Sequence, residues 1–253
     1  MCALLLYIIG NKKSTDFFLF LPNFIDCGII QIKMLSGAIR MTKNELSVIK
    51  NVENDIRELF AEEFSGHDVL HTLRVVKNAR LLNSDGEGDD FIITLSALLH
   101  DSDDRKLFPV SSENNGNARK ILEKYGVSGE ITERIIDIIN SVSFSSGKIP
   151  VSYEGKIVQD ADRLDAIGAV GIARCFSFGG NHNRPLYEEG DFSGEGSGES
   201  SVAHFYSKLL KLQALMNTEK GREEAEKRTA FLKTYLEHLK EEADITSLLD
   251  LYI

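Results

Sequence analysis

From residue 43 onward, apolar residues recur at three- and four-residue spacing, and strict apolar-polar alternation is scarce. The pattern predicts helices over 43–63, 67–83, 89–102, 112–125, 129–142, 154–166, 168–176, 201–216 and 218–242, with a short one at 245–252. Thr42 followed by Glu45 forms a capping signal at the first helix, and Gly126 after "ARKILEKY" is placed to end the fourth. Only "KIPVSY" at 148–153 alternates weakly enough to hint at a strand. The last long helix carries an apolar stripe through Ala225, Phe231, Leu232, Tyr235 and Leu239, and its many charges read as a solvated face. The expected fold class is all-α, a helical bundle.

Two stretches break this pattern. Residues 1–40 are apolar without helical period, lack a basic segment ahead of the apolar run, and make a poor signal peptide. They read either as a hydrophobic arm or as an extension that is not native, with Met41 as the natural start; the second reading is preferred, giving domains 1–40 and 41–253. "EEGDFSGEGSGESS", residues 188–201, has little apolar surface and reads as a mobile acidic loop, either plain surface or a lid.

Composition narrows the function. Of 253 residues, 29 are Lys or Arg and 39 are Asp or Glu, giving a net charge of −10. Such a chain repels nucleic-acid backbones over most of its surface, so broad nucleic-acid binding is disfavoured, although a local basic pocket for one phosphate is compatible. Cys2, Cys27 and Cys175 are odd in number and widely spaced, which fits reduced thiols and a cytoplasmic location. No uncharged apolar stretch reaches 18 residues, so no transmembrane helix and no membrane partner are expected.

The informative stretch is "LSALLHDSDDRKLF", residues 95–108, where an apolar run stops at His100-Asp101. "GHDVLHTLRVV" sets His67 and His71 four apart on one helix face, with Arg74 one turn beyond His71. "IVQDADRLDAIGAVGIAR" puts Asp160, Asp162 and Asp165 into an otherwise apolar helix. Carboxylates buried without partners are costly, so these acids need a cation or a hydrogen-bond network. Imidazole with carboxylate suits one divalent ion: Mn, Fe, Co, Ni, Zn or Mg. Each piece alone is weak; the order HxxRV, HD, ADRLD is what carries weight. At this level His67 and His71, and Asp160 and Asp162, remain alternatives.

With "HDVLHTLRV", "ALLHDSDDRK", "SFSSG", "EGKIVQDADRLDAIGAVGIAR" and "MNTEKGREEAEKRTAFL", the chain resembles the HD-domain superfamily of metal-dependent phosphohydrolases, in particular its small stand-alone branch of HD hydrolases, over about 44–242. The resemblance implies that His71, His100, Asp101 and Asp162 hold the metal. It further implies catalytic work for Asp101 and Asp104, the latter as proton carrier, and candidate phosphate binding by Arg74, Lys106 and Arg163, each also able to serve in a salt bridge. Ser143, Ser145 and Ser146 either line the pocket or end a helix. "INSVSF" at 139–144 lacks the histidine with which other HD branches build a second metal site, which argues against a two-metal cyclic-dinucleotide phosphodiesterase. The expected activity is hydrolysis of a small phosphate ester or nucleotide by metal-activated water. The alternatives are a nucleoside triphosphate pyrophosphohydrolase and a non-catalytic, metal-stabilised HD-fold binding or regulatory protein. The ligand set does not separate these, nor does it fix an oligomeric state.

Overall fold

The computed structural model describes residues 8–10, 17–19, 41–62, 68–105, 107–142, 147–193 and 198–243. The chain separates into two units, Met1–Arg40 and Met41–Ile253. In the first, β1 (Ile8–Gly10) pairs antiparallel with β2 (Phe17–Leu19), Ile9 opposite Phe18. No strand was expected there from the sequence, but β-branched and aromatic runs are the kind that suit extended pairing.

Among the described residues of the second unit, the regular secondary structure is all helical. It comprises α1 (Lys43–Leu59), α2 (Val69–Leu82), α3 (Asp90–Leu99), α4 (Gly116–Lys124), α5 (Gly129–Val142), α6 (Tyr153–Asp165), α7 (Gly168–Asn181), α8 (Ser201–Ser207) and α9 (Glu219–Ala243). A 3₁₀ segment, Leu209–Leu215, links the last two. The all-α expectation holds for this unit, and most helices fall where the periodicity put them. At α1 the capping box forms: Thr42 N–H donates to Glu45 Oε2 at 2.6 Å, and Glu45 N–H to Thr42 Oγ1 at 3.2 Å.

The centre of the unit is α3. After Asp90 its sequence, "FIITLSALL", has no charged residue, and every one of those nine side chains is buried. Helices α1, α2, α5 and α6 pack around it, so an uncharged helix becomes the hub of the core. Because α2 and α6 also pack on one another, the ends of α2, α3 and α6 are brought together. Arg228 of α9 ties this arrangement down, donating to Leu164 O at 2.7 Å and to Asn78 Oδ1 at 3.0 Å, while Asn78 donates to Ala161 O at 3.1 Å. Gly168, at φ +80°, makes the turn from α6 into α7, a conformation open to glycine and costly for other residues.

Several elements differ from expectation; α1 stops at Leu59 and not 63, and α3 at Leu99 and not 102. The fourth helix starts at Gly116 and not 112, because Asp103 lies across its first turn and accepts from Asn117 and Ala118 N–H, both at 2.9 Å. α7 runs on to Asn181. The expected helix 201–216 breaks at Lys208 into α8 and the 3₁₀ segment. "KIPVSY" forms no strand; Ser152 caps α6, accepting from Gly155 N–H at 3.1 Å. The helix expected at 245–252 lies outside the described residues.

Candidate metal centre and cleft

His71 sits in the first turn of α2. Asp68 caps that helix by accepting from the His71 N–H at 2.7 Å, which fixes where the imidazole leaves the backbone. The ring is buried, and its Nδ1 lies 2.7 Å from Asp165 Oδ2. His100 closes α3, and its Nδ1 lies 2.9 Å from the Ala97 carbonyl oxygen. A carbonyl can only accept, so His100 Nδ1 must carry the proton. Asp165 is ionised, so His71 Nδ1 carries one as well. Burial acts to raise the Asp165 pKa, yet His71, Arg74 and Arg174 together hold it well below the usual carboxylate range.

Both Nε2 lone pairs therefore face the same place, 3.3 Å apart. Asp101 Oδ2 joins them at 3.5 Å from His71 Nε2 and 3.3 Å from His100 Nε2. Asp162 Oδ1 lies 3.5 and 3.9 Å from the same two nitrogens. His71, His100 and Asp162 each offer one ligand atom within 4.8 Å of the others. A first-row ion with bonds of about 2.1 Å sets neighbouring ligand atoms roughly 3.0–3.4 Å apart, so this donor set fits one such ion. Without a cation a proton must substitute. Burial opposes charge on His100, but Asp101, Asp162 and the Ala97 carbonyl outweigh it and push its pKa up to about 9.

Asp160, Asp162 and Asp165 divide the labour. At 100° per residue, Asp162 and Asp165 lie about 60° apart on α6 and Asp160 at least about 140° from either. Asp162 reaches the imidazoles and Asp165 orients one of them. Asp160 is fully buried on the far side, accepting from Asn217 N–H at 2.8 Å, Asn217 Nδ2 at 2.9 Å, Thr218 N–H at 2.7 Å and Thr218 Oγ1 at 2.8 Å. It anchors the turn into α9.

The centre opens into a cleft of about 1070 Å³, lined by Asp104, Arg105, Arg163, Arg174, Arg184 and Lys208 among others. The expected phosphate-binding cations are placed differently from the reading of the sequence. Arg74 is committed to Asp165, through Nε at 2.6 Å and Nη2 at 3.1 Å, and does not line the cleft. Arg163 does line it, but its Nη1 donates to the Leu215 carbonyl and its Nε is buried without a partner. Burial lowers its pKa against the pull of Asp160 and Asp162. Lys106, His67, Ser143, Ser145 and Ser146 lie outside the described residues.

Reading the sequence missed Arg174. It sits on α7, and its Nη1 lies 2.6 Å from Asp165 Oδ2 and 3.1 Å from His71 Nδ1. Asp165 thus has two guanidinium partners, Arg74 away from the cleft and Arg174 on the cleft wall beside the imidazoles. The available signal was a lone arginine in the apolar, small-residue run "GAVGIARCFSFGG". The acidic loop 188–201 is tied at its described flanks, where the buried Asp191 accepts from Glu188 N–H at 2.7 Å and from Ser200 Oγ. No helix among the described residues is long and apolar enough to cross a membrane.

A helical bundle whose central helix ends in His-Asp beside a second imidazole and an aspartate is the architecture of a metal-binding HD-type domain. Comparison with known proteins agrees. The HD domain family profile matches residues 69–167. The YpgQ protein of Bacillus subtilis is 39% identical over 202 residues, 78% of this chain and 95% of the relative. A crystal structure of YpgQ in complex with ADP superposes with a TM-score of 0.67 at 36% identity, covering 80% of this chain and 98% of the other. An HD-superfamily hydrolase from Bacillus thuringiensis gives 0.65 at 34% identity, covering 80% and 100%. The chain belongs to the HD-domain family of hydrolases.

Proposed function

We propose that this protein is a metal-dependent phosphohydrolase acting on a small phosphate ester or nucleotide. The observation that carries the reading is the convergence of the Nε2 atoms of His71 and His100, flanked by Asp101 and Asp162 at the mouth of an arginine-lined cleft. His71, His100, Asp101 and Asp162 would hold one divalent ion. When bound, that ion acidifies water and draws charge from a phosphoryl oxygen.

The chain's own residues supply the rest. Asp165 and the Ala97 carbonyl fix both imidazole tautomers, so each presents an electron pair and not a proton. Arg174 offers positive charge for a phosphoryl oxygen where Arg74 does not. Asp104, its N–H bonded to the Asp101 carbonyl at 3.0 Å, is held one tight turn from Asp101 on the cleft wall, where it can take a proton from water and return it to the leaving oxygen. That YpgQ has been crystallised with ADP supports a nucleotide as occupant of the corresponding cleft.

The test is a panel of phosphate esters and nucleotides with Mn, Fe, Co, Ni, Zn and Mg, scored separately for phosphate and pyrophosphate. Phosphate release is the expected result. Pyrophosphate release identifies instead a nucleoside triphosphate pyrophosphohydrolase, and silence across the panel identifies a metal-stabilised binding protein.

A further inference from the structure

Ser102 and Asp103 stand between the candidate ligand Asp101 and the candidate proton carrier Asp104, and both are buried. A buried carboxylate needs donors, and Asp103 finds them in another helix. Its Oδ1 accepts from Asn117 N–H and its Oδ2 from Ala118 N–H, each at 2.9 Å. Both N–H groups belong to the first turn of α4, where no carbonyl of that helix can reach them. Asp103 therefore caps α4 from 14 positions away, and its negative charge suits that end of the helix.

The tie runs in both directions. Asn117 Nδ2 donates to the Ser102 carbonyl at 2.8 Å and to Ser111 Oγ at 3.0 Å. Asp103 and Asn117 thus form a reciprocal clasp between the turn after α3 and the start of α4. Ser102 is fastened a second time, its N–H and its hydroxyl both donating to Leu99 O, at 3.0 and 2.8 Å. Asp104 N–H closes on Asp101 O at 3.0 Å, and Phe108 N–H on Asp104 O at 2.7 Å. The clasp reaches the core through Ala118 and Leu122 of α4, both fully buried.

Capping a helix does not by itself call for this arrangement. Asn115 holds the N-cap position of α4 and is of a type that caps well. It takes a left-handed conformation instead, with φ +51°, and makes no cap bond. Its amide goes to Asn140 Oδ1 at 3.0 Å. The capping acceptor comes from the turn that carries Asp101 and Asp104, so fixing α4 also fixes that turn.

We infer that Asp103 and Asn117 are positioning residues whose clasp sets where the Asp104 carboxylate stands relative to Asp101. Both act through Asp101 and Asp104. The inference rests on the phosphohydrolase reading, with Asp104 as its proton carrier. A shift of about 1 Å in such a group costs on the order of 10²-fold in rate.

The experiment compares the full-length wild type with Asp103→Ala, Asn117→Ala and Leu122→Val, by steady-state kinetics on p-nitrophenyl phosphate and ATP and by Mn(II) titration. Leu122→Val thins the packing of α4 without touching the clasp, so it reports what loosening that helix does alone. Each clasp variant should lower kcat by roughly 10–100-fold with KM within about twofold, and Leu122→Val should leave both within about twofold. On an Asp104→Ala background, Asn117→Ala should cost less than about a further twofold, because residues that act as a unit are not additive. If Asp103→Ala does not fold, Asn117→Ala decides, since Asp103 still caps α4 in that variant. An equal loss in Leu122→Val, or the full further loss on the Asp104→Ala background, reduces the clasp to helix stability and overturns the inference. Turnover by the wild type with kcat unchanged in both clasp variants overturns the clasp and leaves the hydrolase reading standing. A wild type that turns over no phosphate compound removes the hydrolase reading, and Mn(II) affinity then decides the clasp. A fall of about tenfold or more in both clasp variants and not in Leu122→Val upholds it, and unchanged affinity overturns it.

Discussion

Nε2 of His71 and Nε2 of His100 face each other at 3.3 Å with both ring protons committed elsewhere, to Asp165 and to the Ala97 carbonyl. Two lone pairs and two carboxylates in one buried corner repel unless a cation or a proton lies among them. Stripping the metal should therefore destabilise the fold as well as stop turnover. At a free metal concentration about a thousandfold above Kd, binding contributes roughly 4 kcal/mol. For a chain of this size that is roughly 8–16 °C in Tm. Differential scanning before and after chelation, with re-addition of metal, measures it; an unchanged Tm would mean that these ligands do not hold the ion in the folded state.

Asp165→Asn tests the buried support beneath His71. Asparagine keeps the shape and removes the charge that fixes the His71 tautomer and balances Arg74 and Arg174. Metal affinity should fall by roughly 10–100-fold, with turnover following at fixed metal concentration. Turnover should recover in part at saturating metal, and a metal titration of the purified variant reads both effects.

Asp104→Ala separates chemistry from ligation. The Asp104 side chain lines the cleft but is not among the four ligands proposed for the ion. Metal content should stay at that of the wild type, while kcat drops by roughly 10²–10⁴-fold if this carboxylate moves the proton. Loss of metal together with activity would make Asp104 a ligand and leave the proton carrier unassigned.

The helical order and the HD pair were legible because both are local. An uncharged run of nine residues that stops at His-Asp can be read from spacing alone. The roles of Asp160, Asp162 and Asp165 were only half legible. The helical wheel separates Asp160 from the other two, but what each faces depends on how α2 and the turn before α9 pack on α6. Arg74 and Arg174 illustrate the harder problem. An arginine one turn from a candidate metal-ligating histidine is well placed for phosphate in sequence, yet it closes on Asp165, 91 positions away. The arginine beside the imidazoles on the cleft wall, Arg174, comes from the following helix, and which way it faces depends on how α7 packs on α6.

Cys175 makes a prediction in pH. Its thiol is buried, and burial pushes its pKa up to about 11 although nearby Arg184 acts to lower it. A group whose folded pKa is raised contributes fully below its unfolded value, about 8.5–9, and loses that contribution as pH climbs to about 11. The stability difference between the wild type and Cys175→Ala should thus be constant up to about pH 8 and shift against the wild type between about pH 9 and 11. Urea unfolding at stepped pH resolves it, and native Cys175 should resist alkylation at neutral pH until the chain unfolds.

Asp160 and Asp162 are two residues apart, and their substitutions should fail in opposite ways. Asp162→Ala and Asp101→Ala each remove an oxygen from the imidazole cluster, so bound metal should fall well below one equivalent while the apo fold persists. Asp160→Ala strips the acceptor from Asn217 and Thr218, whose backbone N–H groups both donate to it. Leaving several buried donors unsatisfied costs about 1–3 kcal/mol each, so Tm should drop steeply while a folded sample keeps its metal. Gly221 provides an independent handle on the same anchor. A Cβ there would stand 2.5 Å from Asp160 Oδ2 and 2.7 Å from Thr218 Oγ1, so Gly221→Ala should repeat the Asp160→Ala loss of stability with metal content intact. Metal analysis and melting on the four purified variants decide the assignment. Full metal in both Asp101→Ala and Asp162→Ala would dismiss the proposed centre. Metal loss confined to Asp160→Ala would move the ligand to the other side of α6.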